Sequence, residues 1–224
     1  MKRDWEDPRV YARGKEAAST TFSGADDREV IAIVGSWRFR WVPRPDDVPP
    51  EFYRADYDDA RWDEIAVPAL WELNGYGTPY YLAFSYPPAI STRRIPRIDR
   101  NDNPTGCYRR RFDLPAEWEG REVFIEFGAA KSALTLWVNG SEIGYSQGSM
   151  LPALFRVTDY VKPGENVIAV RVVRYSDGTY LEDQDMWFFS GIFRGVSVYS
   201  EPKTAIQDVY AHATFSAEYR HASL

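Results

Sequence analysis

Glu182, Asp183 and Asp185 place three carboxylates within four consecutive positions, and two bulky aromatics, Trp187 and Phe188, follow almost at once. Like charges this close repel, so solvent, an arginine, a cation or a hydroxyl-rich ligand must offset them. Carboxylates accept hydrogen bonds from hydroxyls, and aromatic faces cover the apolar C–H faces of a sugar ring. The pattern therefore suits a sugar site. It also suits a solvated loop capped by core aromatics, and composition does not separate the two. Gly178 and Gly191 bracket the stretch, so the chain can turn sharply at both ends.

The rest of the chain must position this stretch. Its 224 residues suit one large domain or two small ones. A hydrophobic content of 44%, with 8 Trp, 15 Tyr and 12 Phe, fits a β-rich fold whose large side chains mostly fill a core. The net charge of -6, with no basic face, argues against a nucleic-acid partner. No apolar run approaches the length of a membrane span, and Met1–Glu6 lacks the apolar core of a secretory signal. Cys107 is the single cysteine and cannot form an internal disulfide, which fits a reducing, cytoplasmic compartment. Two histidines and one cysteine leave little for a transition-metal site, so a bound cation would be held by oxygen.

Taken in order, residues 1–30 are polar and weakly patterned, with Trp5, Tyr11 and Phe22 isolated among charges; they read as an extended arm outside the core. Ser36–Val42 alternates aromatic with polar residues, as a half-buried strand does. Leu73–Pro104 is loop-like and punctuated by proline, yet Tyr76, Tyr80, Tyr81, Phe84 and Tyr86 argue against disorder. Strands then come quickly: Tyr108–Phe112, Glu122–Phe127, Ala133–Val138, Ser141–Tyr145, Val167–Val173 and Ile192–Tyr199. Asn139-Gly140 predicts a tight hairpin because both residues tolerate positive φ. Val167–Val173 is apolar on both faces and reads as a central strand. No segment keeps helical periodicity over three turns. Short strands at this spacing predict an all-β sandwich or jelly roll.

The string Tyr180-Leu181-Glu182-Asp183-Gln184-Asp185-Met186-Trp187, then Ser190-Gly191-Ile192-Phe193-Arg194, resembles the N-terminal domain of glycoside hydrolase family 2 β-galactosidases. Other segments agree in the family's order: Arg3–Pro8, Trp37-Arg38-Phe39, Asn74-Gly75-Tyr76, Tyr86-Pro87, Asn103–Tyr108, Trp137-Val138-Asn139-Gly140 and Gly164-Glu165-Asn166. The resemblance runs from about residue 2 to about residue 215. It implies a jelly-roll β-sandwich of the galactose-binding-domain kind over residues 31–202, preceded by an arm at 1–30 that docks at a subunit interface. Residues 203–224 would begin an immunoglobulin-like second domain, with Ala205–Phe215 as its first strand. Nothing remains to complete that domain, so the chain reads as a fragment.

The resemblance also implies where the chemistry lies. Retaining glycosidases use two carboxyl groups about 5 Å apart. In the family both belong to a (β/α)8 barrel beyond Leu224, as does a magnesium site, so no residue of this chain is expected to be catalytic, and the isolated chain is expected to be inactive. Asp185 matches an aspartate that binds galactose hydroxyls and ligates sodium; the remaining sodium ligands come from the barrel. Glu182 and Asp183 receive no ligand role, and Trp187 is expected to pack under the loop. Ala83 stands where family members carry a substrate-binding asparagine, so specificity has drifted or a residue such as Ser85 substitutes. The implied partners are a galactoside and the rest of a β-galactosidase chain or a complementing subunit, homo-oligomeric when complete. The competing readings are a free-standing lectin-like carbohydrate-binding module and a purely structural docking role through the arm.

Overall fold

A computed structural model describes residues 3–19, 28–83 and 85–224. Phe22 and Phe84 therefore lie outside the described residues. In chain order the strands are β1 (Ala12–Arg13), β2 (Glu29–Ala32), β3 (Gly35–Val42), β4 (Asp63–Val67), β5 (Tyr80–Tyr81), β6 (Thr105–Leu114), β7 (Glu122–Phe127), β8 (Ala130–Lys131), β9 (Ala133–Val138), β10 (Ser141–Ser146), β11 (Ala153–Arg156), β12 (Gly164–Val173), β13 (Trp187–Phe188), β14 (Gly191–Ile192), β15 (Val196–Glu201), β16 (Thr214–Phe215) and β17 (Ala222–Ser223). Helix among the described residues is confined to short 3-10 turns.

Two antiparallel sheets face one another. One has seven strands in the order β1-β10-β9-β12-β6-β3-β4, the other four in the order β11-β7-β15-β2. The period of two sends Leu134, Leu136 and Val138 of β9 and Ile168, Val170 and Val172 of β12 to one side. There they meet Val123, Ile125 and Phe127 of β7 and Val196 and Val198 of β15. Each such side chain, fully buried, stabilises the fold by about 1.5–3 kcal/mol. The result is the jelly-roll sandwich that the strand spacing predicts.

The outer face of the seven-stranded sheet is covered as well. Cys107, Trp137 and Ala169 point outward and are capped by Phe52 and Trp62 from the segment between β3 and β4. This second layer is why β12 is apolar on both faces. Arg109 holds the layer down. It is 1% exposed, and its guanidinium donates to the carbonyls of Phe52 (2.5 Å), Arg54 (2.9 Å) and Tyr57 (3.5 Å) and to Asp59 (2.7 Å). Arg111, two residues on and on the same face, is exposed and pairs at the surface with Glu165.

The Asn139-Gly140 hairpin forms with φ of 50° and 89°. Asparagine is specifically useful there. Its Nδ2 donates to Tyr160 O and to Asn166 Oδ1, both at 2.8 Å, and its Oδ1 accepts from Val167 N at 2.9 Å.

Three expectations need correction. First, the N-terminal segment is not outside the core throughout. Trp5 is 3% exposed and packs on Ala133, Tyr145 and Val173, while β1 pairs with β10. Second, Ile192–Tyr199 is not one strand. Gly191–Ile192 pairs with β8 whereas Val196 onward pairs with β7, and the change of partner breaks the strand at Phe193–Gly195. Third, Ala205–Phe215 does not form the expected strand. Every residue from Lys203 on is exposed, and only Thr214–Phe215 pairs, with β17. No sheet among the described residues faces its apolar side chains.

The long segment from Leu73 to Pro104 is ordered by its tyrosines and by Asn103. Tyr86 Oη donates to Tyr180 O (2.7 Å), and Tyr180 Oη donates to Ser91 O (2.9 Å) and Arg97 O (2.8 Å). Asn103 exchanges side-chain hydrogen bonds with both backbone groups of Tyr175. These links dock the segment against the acidic stretch, 72–94 residues away in sequence.

Candidate functional site

The acidic stretch and the long loop meet in a two-stranded ribbon. β13 pairs with β5, Trp187 opposite Tyr81 and Phe188 opposite Tyr80. Alternate residues of a strand face opposite ways. Phe188 turns in and is 2% exposed, whereas Trp187 and Tyr81 are each 50% exposed. Trp187 therefore does not pack under the loop as expected; Phe188 occupies that place. Trp187 stacks on Phe189, with ring centroids 5.4 Å apart and planes at 11°, and leans on Tyr81 at 5.5 Å. The three rings form an exposed aromatic ledge.

Asp185 stands at the edge of that ledge. Its side chain is exposed, and Tyr81 Oη donates to its Oδ1 at 2.6 Å. The same bond raises the pKa of the Tyr81 phenol, because ionisation would lose the donated proton and set a second negative charge beside the carboxylate. One carboxylate oxygen is thus oriented by a phenol next to flat apolar surface. That arrangement can accept from a sugar hydroxyl and cover a ring face at once.

The ribbon is fixed from below by a buried ion pair. Arg174 and Glu72 approach to 3.4 Å, with side-chain exposures of 3% and 0%. Arg174 Nη2 donates to Thr78 O (2.7 Å), just before β5, and to Phe188 O (2.9 Å) in β13, so one side chain holds both strands. Glu72 Oε2 accepts from Ser190 N at 2.9 Å. Burial raises the pKa of Glu72, and the positive charge of Arg174 opposes that shift. Gly191 completes the anchor. Its φ is +123°, and a Cβ there would stand 2.8 Å from Ala69 O.

The three carboxylates are not offset alike. Glu182 accepts from Ser149 N (3.0 Å) and Ser149 Oγ (2.5 Å). Asp185 takes the Tyr81 hydroxyl, and Asp183 is exposed. Arg194 goes elsewhere, donating to Met150 O at 2.9 Å. Beneath the loop lies the ammonium of Lys131. The residue is 5% exposed, and the ammonium sits 4.0 Å from Met186 Sδ and 5.4 Å from the centre of the Phe188 ring. Burial lowers its pKa, and the charges of Glu182 and Glu72 act against that.

The structure sets Asp185 on the exposed loop before β13, and the fold brings Tyr81, Phe189, Arg174, Glu72 and Lys131, which the sequence pattern did not single out as site residues, to the same region. A charged residue closing the apolar run of β12 was the available sign for Arg174. Ala83 and Ser85 lie on the turn after β5, Ser85 exposed. No group of three or more His, Cys, Asp or Glu side chains that could hold a metal occurs among the described residues. For sodium, which needs several oxygens, Asp185 fits as a single carboxylate ligand and no more.

A family model described as the sugar binding domain of glycosyl hydrolases family 2 matches residues 31–202. The chain belongs to glycoside hydrolase family 2. It is 41% identical, over its whole length, to a β-galactosidase of Vibrio vulnificus strain YJ016 and 44% identical to one of Vibrio cholerae. The chain spans 22% of the length of each of these relatives. Among solved structures it resembles a β-glucuronidase from an uncultured Clostridium species, with a TM-score of 0.63 at 19% identity over 89% of this chain and 34% of that one. A Ruminococcus gnavus β-glucuronidase gives 0.62 at 18% identity over 91% of this chain and 34% of that one. At that identity the likeness concerns the fold, a family 2 β-sandwich. No helix among the described residues is long and apolar enough to cross a membrane.

Proposed function

We propose that this chain is the sugar-binding N-terminal part of a retaining β-galactosidase, and that Asp185 is its substrate-contacting residue. The observation that carries the reading is Asp185 itself: an exposed carboxylate, oriented by Tyr81 and bordered by the Trp187 ledge. In this reading one Asp185 oxygen accepts from a galactosyl hydroxyl and the carboxylate contributes one ligand to a sodium ion. The chain supplies neither the nucleophile nor the acid/base of hydrolysis. Those, and any magnesium, come from the remainder of the enzyme, which is cytoplasmic and homo-oligomeric when complete. Tyr81 positions the carboxylate, and the ledge excludes water from one face of the sugar. Glu182 is committed to Ser149 and serves the loop.

The test joins this chain to the remainder of the Vibrio vulnificus relative in place of that enzyme's own N-terminal region. The hybrid is expected to hydrolyse nitrophenyl galactoside, and the 224-residue chain alone is not. Asp185→Asn keeps the shape and removes the charge. It should lower kcat/KM by about ten- to a hundredfold and weaken the response to sodium while leaving Tm unchanged. A variant whose Tm falls while kcat/KM and sodium response stay put would make Asp185 a turn-forming residue and sink the proposal.

A further inference from the structure

The outer face of the seven-stranded sheet carries a second concave region that shares no residue with the Asp185 ledge. It is a cavity of about 360 Å3, within the size range of small-molecule sites. Its floor is Thr135 and Trp137 of β9 and Arg171 of β12; its walls are Tyr53, Asp4, Arg13 of β1 and Glu142 of β10. Tyr53 is half-buried and stacks on Trp137 at 5.3 Å with planes 12° apart. Arg171 is 4% exposed and lies over both Trp5 (4.9 Å) and Trp137 (5.6 Å), and its Nη2 donates to Thr135 Oγ1 at 3.1 Å. Arg13 reaches Asp4 at 2.8 Å and Glu142 at 2.6 Å.

Two features separate this from an ordinary surface ion-pair cluster. An arginine is buried on the sheet face between tryptophans, which costs solvation and requires a built surrounding. Burial lowers its pKa, and the carboxylates of Glu142 and Asp4 oppose that shift. The charges around the cavity also balance: Arg13 and Arg171 against Asp4 and Glu142. A simple anion or cation would leave two of the four opposed to it. A neutral ring bearing hydroxyls would meet guanidinium donors, carboxylate acceptors and the half-buried Tyr53 ring together.

We propose that this cavity is a second saccharide site, which binds a neutral pyranose against half-buried Tyr53, itself stacked on the buried Trp137, with its hydroxyls shared between Arg171, Thr135, Asp4 and Glu142. It would hold a sugar without acting on it, independently of the Asp185 ledge.

The experiment is a nuclear magnetic resonance titration of the full 224-residue chain. The probes are methyl β-D-galactopyranoside and methyl β-D-glucopyranoside, with sodium sulfate and glucuronate as charged comparisons. The expected result is a saturable shift of the Trp137 indole and of Thr135 and Arg171 signals by a neutral glycoside, with Kd on the order of 1–10 mM. Tyr53→Ala and Glu142→Gln should each weaken that Kd by about tenfold, and Asp185→Asn should leave it unchanged. Glu142 is exposed, so its variant keeps the test decisive even if Tyr53→Ala disturbs the covering segment. No saturable shift at Trp137 would overturn the proposal. So would saturation by sulfate or glucuronate in place of the neutral sugars, or loss of the shift in Asp185→Asn.

Discussion

Replacing Arg174 by methionine should unseat the ribbon that presents Asp185. The substitution keeps much of the apolar stem and removes the guanidinium. Glu72 then stays buried with its Ser190 N–H bond and no counter-charge, and the carbonyls of Thr78 and Phe188 lose the Nη2 donor. Breaking a buried pair from one side costs about 3–5 kcal/mol, which for a chain of this size is a fall in Tm of about 6–20 °C. The penalty should depend on pH, with a sign fixed by Glu72. Burial holds the folded-state pKa of Glu72 above its unfolded value. Its contribution to stability is therefore fullest in acid and is lost as pH rises through the folded pKa. Without Arg174 that pKa rises further, so the variant's deficit should be largest near neutral pH and shrink toward acid as Glu72 takes up a proton. Urea unfolding of wild type and variant across that range measures it. Adding Glu72→Met to Arg174→Met should recover much of the stability, because an apolar pair replaces a charged one. It should not restore galactoside affinity, because the two strand carbonyls still lack their donor. A deficit below about 1 kcal/mol, or one that does not change with pH, would refute the view that this pair holds the ribbon.

Two further outcomes follow from the same geometry. Tyr81→Phe removes only the hydroxyl that orients Asp185; Tm should be unchanged, while kcat/KM of the hybrid enzyme should fall by about two- to tenfold, and an unaltered kcat/KM would show that Asp185 needs no such orientation. Burial under Phe52, Trp62 and Trp137 pushes the Cys107 thiol up to about 12, so the native chain should resist a thiol reagent at mildly alkaline pH and react once unfolded; rapid reaction of folded protein would contradict the covered outer face.

Where short, largely apolar runs are bounded by turn residues, the sequence and the structure agree closely. Glu122–Phe127 and Ala133–Val138 are strands with the bounds that the pattern implies, and the Asn139-Gly140 turn follows from backbone sterics alone. Carboxylate crowding singles out the stretch from Glu182 to Asp185, and only the family resemblance picks Asp185 within it. What escaped the pattern depends on contacts distant in sequence. β1 is two residues long, too short to show a period. Trp5 is surrounded by charges in sequence and by a core in space. Tyr81 and Asp185 are 104 positions apart. Arg109 sits in a run of three arginines that looks like surface, and the carbonyls of the covering segment together with Asp59 make its burial tolerable.

The arm has a consequence beyond its packing. An open sheet has two edges, and an unprotected edge templates pairing with a strand of another molecule. Here β1 lies along β10, which itself bulges between Glu142 and Gly144, while β4 at the far edge turns Asp63 and Glu64 to solvent. Gly144 has no side chain because the backbone of Arg13 passes directly over it. Ala12 and Arg13 thus keep one copy of the sheet from growing onto the next at β10, and residues 3–13 guard against aggregation as much as they complete the fold.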